Sequence, residues 1–186
     1  MQGWPFLLFI DASYVPAVSE LLTPRLRLRR ARPGDLAALH AVLSHPVATR
    51  YWSTLPHASL DQTRAWLGGM IAASPEVSDD FVVEFAGRVV GKAGFYRLPE
   101  IGYILHPDVW GQGLAREAVS AVIERAFARF DFPEIVADVD PRNQASLALL
   151  KRLGFHQTGR ATRTFQLGDE WCDSVYLTLK RPAPGP

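Results

Sequence analysis

A strand-like stretch over residues 100–106 runs within a few residues into a helical stripe over residues 113–130, and this unit constrains the fold more than any other part of the chain. Leu114, Ala118, Ala121, Val122, Ile123 and Phe127 recur mainly on one helical face, whereas the segment before them reads as β. The junction carries Gly111-Gln112-Gly113-Leu114-Ala115, directly after Trp110. So short a passage from strand to long helix brings unpaired backbone N–H groups to a helix N-terminus, which is an anion-binding arrangement. Without side chains at Gly111 and Gly113 a diphosphate can reach the backbone, and small Ala115 lets the helix start pack closely. The same glycines also suit a tight turn that binds nothing, so both readings stand. Two other phosphate loops do not fit. A P-loop requires Lys and Ser or Thr after its last glycine, where Leu114 and Ala115 stand, and a dinucleotide fingerprint requires a third glycine where Arg116 stands.

The rest of the chain supplies elements of both kinds. Leu26-Arg27-Leu28-Arg29 alternates with period two, and Pro33-Gly34-Asp35 opens a helix of Leu36, Leu39, Val42 and Leu43. A second helix follows Ser59 through Trp66, Leu67 and Met70 and stops at Ser74-Pro75, with residues 45–58 between the two helices read as loop. Strands over residues 81–85 and 88–96 join through Ala86-Gly87 as a hairpin. After the central helix come a strand over 134–139, a short helix over 143–153 closed by Gly154, and strands over 155–167 and 171–179. The order βααβββαβαββ describes a mixed α/β fold, one sheet with helices on its faces. A chain of 186 residues makes one domain at roughly 100–200 residues each. We place that domain over residues 23–180, after an extension, 1–22, without sustained period and before a proline-rich tail, 181–186, expected to be disordered.

Charge and cysteine usage exclude several functions. With 20 Lys+Arg against 19 Asp+Glu the formal charge is +1, too little for a general field that gathers nucleic acid or anionic membrane. The arginines within residues 26–32 then read as the solvated face of an edge strand rather than a nucleic-acid patch. Cys172 is the only cysteine, so no internal disulfide or multi-cysteine zinc site can form, and a reducing, cytoplasmic setting is expected. The histidines show no i,i+4 pair, and no metal is expected. The apolar start over residues 4–10 is far short of the ~20 residues that span a bilayer.

Three further stretches carry a resemblance. They are Glu100-Ile101-Gly102-Tyr103-Ile104-Leu105-His106-Pro107, Trp110 through Ala118, and Asn143-Gln144-Ala145-Ser146 through Leu153-Gly154-Phe155. In this order and spacing, with Thr23-Pro24-Arg25-Leu26-Arg27-Leu28-Arg29 before them, they resemble the GNAT superfamily of acyl-CoA-dependent N-acetyltransferases over residues 23–179. Within it the chain is most similar to the ribosomal-protein N-terminal acetyltransferase (RimJ/RimL-like) branch. The resemblance implies a twisted mixed sheet of about six to seven strands flanked by about four helices, with a splay between the strands over 100–106 and 134–139. It implies acetyl-CoA as co-substrate and no metal. The pyrophosphate would lie on the backbone of Gly111, Gln112, Gly113, Leu114 and Ala115, with Trp110 in place of the family's usual Gln or Arg, as is common in this branch. The pantetheine arm would run along Ile104, Leu105 and His106.

Aminolysis of a thioester needs a neutral amine, a polarised carbonyl and a proton for the departing thiolate, but no covalent nucleophile. Cys172 therefore reads as a small core residue. Asn143 and Ser146 share one face at a helix start and can simply cap it. The resemblance implies instead that Asn143 bonds the pantetheine arm or a water and that Ser146 protonates the thiolate, because Leu150 stands where the superfamily often has a tyrosine acid. Glu100 relays a proton from the amine through water, or is an ordinary surface carboxylate. Deprotonating an α-amine at pH 7 costs only about 1 kcal/mol, against about 4.6 for lysine, so an N-terminal acceptor needs only a weak base. Tyr51, Trp52, Tyr103 and Trp171 read as an acceptor pocket beside the loops at 53–59 and 168–170, or as core. Glu117 is expected to face away from the phosphates and complement the helix dipole. The implied activity is acetyl transfer to a protein N-terminal amine, such as that of a ribosomal protein, or to a small-molecule amine. A non-catalytic acyl-CoA sensor and an aminoglycoside acetyltransferase are the alternatives, and both a monomer and a homodimer are compatible with the sequence.

Overall fold

A computed structural model describes residues 20–183, so most of the N-terminal extension lies outside the described residues. The elements are β1 (Glu20–Leu22), β2 (Leu26–Arg29), α1 (Leu36–Leu43), α2 (Leu60–Ala72), β3 (Asp79–Phe85), β4 (Arg88–Arg97), β5 (Glu100–Leu105), α3 (Leu114–Arg129), β6 (Glu134–Val139), α4 (Gln144–Arg152), β7 (His156–Leu167) and β8 (Glu170–Lys180). They form one mixed eight-stranded sheet in the order β1-β2-β3-β4-β5-β6-β8-β7. This is one strand more than the expected upper count. The addition is β1, whose three residues show no period but pair antiparallel with β2 through Leu21 and Leu28.

Strand alternation sorts side chains onto two faces. Leu28, Phe81, Val83, Ala93 and Phe95 pack with α3 and with Leu150 of α4 on one side. Val82 and Ile104 pack with α1 and α2 on the other. Side-chain caps fix where two of the helices begin. Ser59 Oγ accepts from the Gln62 N–H at 3.2 Å ahead of α2, and Asn143 Oδ1 accepts from the Ser146 N–H at 3.2 Å ahead of α4. The β3–β4 hairpin turns through Ala86 and Gly87 at φ 49° and 75°, the primed geometry that matches strand twist.

Among the described residues the β5–β6 pair is the only parallel one, and it is held by a single register pair, Glu100 with Val136. Beyond that point the strands part, and this is the expected splay.

Two expectations need correction. The arginines of the β2 region are a solvated face only in part: Arg27 and Arg32 are exposed, but β1 covers that edge and internal carboxylates take up the others. Arg29 is buried, with Asp35 at 2.6 Å and Glu84 at 2.7 Å, and Arg30 pairs with Asp79. Arg181, the first residue of the expected tail, does not leave the domain either, and residues 184–186 lie outside the described residues. The Arg181 guanidinium donates to the carbonyls of Phe127 at 2.7 Å, Phe132 at 3.0 Å and Phe130, so it closes the end of α3.

Asp79 is the most heavily used of the buried carboxylates. It is fully buried and receives Arg125 Nε at 2.8 Å and Arg129 Nη1 at 3.5 Å from α3, besides Arg30. The Phe81 ring lies against two of these guanidinium groups, 4.5 Å from Arg30 and 5.4 Å from Arg125. Removing the carboxylate leaves clustered cations without a counter-charge. Asp79→Ala is therefore expected to lower stability by about 3–5 kcal/mol, read as a shift of the urea midpoint. A loss under about 1 kcal/mol would show that water takes over the pairing.

Candidate active site

The loop ahead of α3 is shaped by backbone conformations that favour glycine. Gly111 and Gly113 sit at φ 73° and 76°, and Gly113 is the N-cap of α3 in the left-handed region. No described residue accepts a hydrogen bond from the backbone N–H groups of Gly111 through Arg116. A short 3-10 turn at Pro107–Val109 precedes them, with His106 Nδ1 accepting from the Asp108 N–H at 3.3 Å. Trp110 is half-exposed, and its indole N–H donates to the Leu105 carbonyl at 2.8 Å.

Contacts distant in sequence hold this loop, with Arg25 Nη2 3.6 Å from where a Cβ on Gly113 would stand. Glu117 accepts from Thr23 Oγ1 at 2.6 Å, from the Arg25 N–H at 2.8 Å and from Arg25 Nε at 2.7 Å. The same guanidinium donates through Nη1 to the Gln112 carbonyl at 2.8 Å. The Glu117 carboxylate is thus engaged by Thr23 and Arg25. Its pairing with Arg25, ninety-two positions earlier, has no local signal in the sequence. Partial burial pushes the Glu117 carboxyl up, but the hydrogen bonds from Thr23 and Arg25 outweigh it and hold the carboxyl below its ordinary range.

The β4–β5 register decides which backbone groups face the splay. The His106 N–H donates to Val90 at 2.8 Å and its carbonyl accepts from Val109 at 3.1 Å. The Ile104 carbonyl also turns toward β4, 2.0 Å from where a Cβ on Gly91 would stand. Of the three residues expected to form the edge, Leu105 alone turns its backbone toward the splay, with Tyr103 two residues before it. The reason is strand phase, since His106 and Ile104 fall on the positions that ladder with β4.

Of the two readings of Tyr103, the structure has the packed one. It packs on the α3 face and meets Ser146 hydroxyl to hydroxyl at 2.5 Å. Burial pushes its phenol up to about 12, against a smaller opposing effect of the Ser146 hydrogen bond. Asn143 caps α4 through Oδ1, so that oxygen is already engaged with the Ser146 N–H. Glu100 stands where β5 and β6 join and pairs with Arg97 at 3.2 Å, on the face opposite Tyr103. Asp138, which sequence reasoning missed, shares the Glu100 face, because Ile135, Ala137 and Val139 point into the other core. Partial desolvation raises the Asp138 carboxyl, the Ser174 hydroxyl opposes this, and the nearby Glu100 charge adds to the rise.

On the α1–α2 face a cavity of about 190 Å³ joins the link between those helices to the β7–β8 hairpin. Arg50, Tyr51 and Leu55 line one side, Leu167 and Glu170 the other, and Arg142 lies between them. Arg142 is held by Asp140 at 2.6 Å and also bonds Glu170, which ties the hairpin to the turn carrying Asn143. Of the four residues expected in an acceptor pocket, Tyr51 alone lines this cavity. Trp52 packs toward Gly102 and the buried Lys92, and Trp171 lies half-exposed beneath Arg163. Cys172 is buried, and burial together with the charges of Glu170 and Asp140 pushes its thiol up, the opposite of an activated nucleophile. Among the described residues no three His, Cys, Asp or Glu side chains converge as for a metal, and no helix is long and apolar enough to cross a membrane.

The chain belongs to the acetyltransferase (GNAT) domain family, whose model matches residues 25–156, and so to a family of acyl-transferring enzymes. It is 32% identical over 176 residues to an uncharacterized N-acetyltransferase, p20, of Bacillus licheniformis, covering 89% of this chain and 98% of that one. It is 29% identical over 166 residues to the L-amino acid N-acyltransferase MnaT of Escherichia coli K12, covering 83% of this chain and 94% of that one. The fold is similar to that of RimL, a ribosomal L7/L12 α-N-protein acetyltransferase solved with coenzyme A, at a TM-score of 0.77 and 22% identity, covering 86% of this chain and 96% of that one.

The Glu117 contacts have a pH signature. Because its folded pKa lies below the ordinary 4.5, the stabilisation is complete above that value and disappears as pH falls through the folded pKa. The Tm difference between the wild type and Glu117→Gln is expected to be largest near pH 6 and to shrink toward pH 3. A difference constant across that range would mean that the carboxylate charge is not what holds the loop.

Proposed function

We propose that this protein transfers an acetyl group from acetyl-CoA to a primary amine by direct attack. The observation that carries the reading is the row of N–H groups from Gly111 to Arg116, left without acceptors among the described residues at the head of α3 and beside the splay. That arrangement suits a pyrophosphate, and the positive φ of Gly111 and Gly113 explains why glycine stands at both positions. Acetyl-CoA would supply an activated thioester, with its arm bordered by the backbone of Leu105 and Tyr103. The new N–C bond forms as the C–S bond breaks, and the amine proton leaves while the sulfur gains one. Tyr103 and Ser146 together provide the hydroxyl donor for sulfur, since a phenol pushed up to about 12 stays protonated at neutral pH. Glu100 and Asp138 flank the seam on the acceptor face, and partial desolvation raises the carboxyl of Asp138, which suits it to accept a proton.

We take the cavity between the α1–α2 link and the β7–β8 hairpin as the acceptor end. A cavity of about 190 Å³ falls below the roughly 300–1,000 Å³ of pockets that enclose drug-sized ligands. This supports an α-amine, on a small molecule or on the first residue of a protein, over an aminoglycoside. A buried, unreactive Cys172 is in keeping with work in the cytoplasm.

Calorimetric titration with acetyl-CoA is expected to show saturable binding that Gly113→Glu weakens at least about 100-fold, the loss of two charge-assisted hydrogen bonds at about 1.5–3 kcal/mol each. Absence of binding by folded wild-type protein would sink the reading. In assays of thiol release with an amine acceptor, Tyr103→Phe should lower kcat about 100-fold with little change in the acceptor KM. An unchanged kcat would remove the hydroxyl pair from the chemistry.

A further inference from the structure

Glu117 places a carboxylate in the first turn of α3, the helix whose N-terminus carries the open N–H groups. An unneutralised negative charge there would repel any phosphate seated on the loop. The Arg25 guanidinium lies against it, with Nη2 at 2.6 Å, while Nη1 holds the Gln112 carbonyl at 2.8 Å. One side chain therefore does two things: it cancels the charge behind the anion site, and it turns a loop carbonyl away so that the neighbouring N–H groups point outward. Thr23 Oγ1 and the Arg25 N–H complete the set of donors on Glu117.

We propose that Arg25, acting through Glu117 and Gln112, is a positioning residue for the donor loop, and that its charge sets the affinity for the acyl donor's phosphates without taking part in the chemistry. The proposal rests on the acetyltransferase reading of the loop. Arg25 is not itself a phosphate ligand in this account, because its charge is already matched by Glu117. The distinction has a measurable signature. If Arg25 acts by cancelling Glu117, removing both partners undoes much of the damage of removing Arg25 alone. Were it a direct ligand, the second substitution would rescue nothing.

The experiment is a double-mutant cycle over Arg25→Ala, Glu117→Gln and the double variant, in the full-length protein, with calorimetric Kd for acetyl-CoA and steady-state KM and kcat. Arg25→Ala is expected to raise Kd and the acetyl-CoA KM about tenfold with kcat within about twofold, a loss that shrinks at high salt. The double variant should return to within about threefold of wild type. A double variant as weak as Arg25→Ala, or an Arg25→Ala variant with unchanged Kd, overturns the proposal.

Backbone ¹⁵N order parameters of free protein supply a readout that needs no ligand. Residues 111–116 should fall from rigid values of about 0.85 toward about 0.6 in Arg25→Ala, and Arg25→Lys should restore only part of the rigidity because it cannot hold both partners in a fork. Unchanged order parameters overturn the positioning role, whatever the ligand. A wild type that shows these loop effects yet binds no acetyl-CoA would instead overturn the acetyltransferase reading.

Discussion

Two parallel strands that share one register pair and then diverge govern this molecule. Glu100 and Val136 are the last point at which β5 and β6 hold each other, and every backbone group beyond it must find a partner elsewhere. Trp110 takes one of them, the Leu105 carbonyl. The rest of the architecture keeps the wedge open. β4 holds β5 on its far side, β8 pairs with the whole of β6, and the Tyr103–Ser146 contact reaches from β5 to α4 on one face only. An opening in the middle of a sheet is stable here because both flanks are anchored to complete antiparallel ladders.

The periodic parts of this design were legible in the sequence. The change from period two to helical spacing around Gly111 located β5, the loop and α3 to within a residue or so, and β6 lies on the expected residues. Asn143 and Gly154 bracketed α4 because capping chemistry is local. What was not legible depended on phase or on distance. Which backbone edge of β5 faces the splay is set by the β4 register, so Ile104 and His106 were expected at an edge they do not reach. β1 has too few residues for any period.

Charged residues misled most, and for one reason. A sequence shows that Arg25, Arg29 and Arg30 are cationic, but not that Glu117, Asp35 and Asp79 wait for them across the fold. Exposure is the default expectation for arginine, and it fails where buried carboxylates need partners. The hydroxyl partner of Tyr103 was hidden in the same way, since it lies forty-three positions later.

Arg181 closes the carboxyl end of α3 by gathering the carbonyls of Phe127, Phe130 and Phe132. That places the two ends of one helix under the control of residues on either side of it in the sequence, with Arg25 at its head and Arg181 at its tail. During synthesis the head can be dressed as soon as α3 leaves the ribosome, whereas the tail stays bare until β6, α4, β7 and β8 have followed. The last turn of the helix that begins at the glycine loop is thus finished only after the strands that complete the sheet have been made.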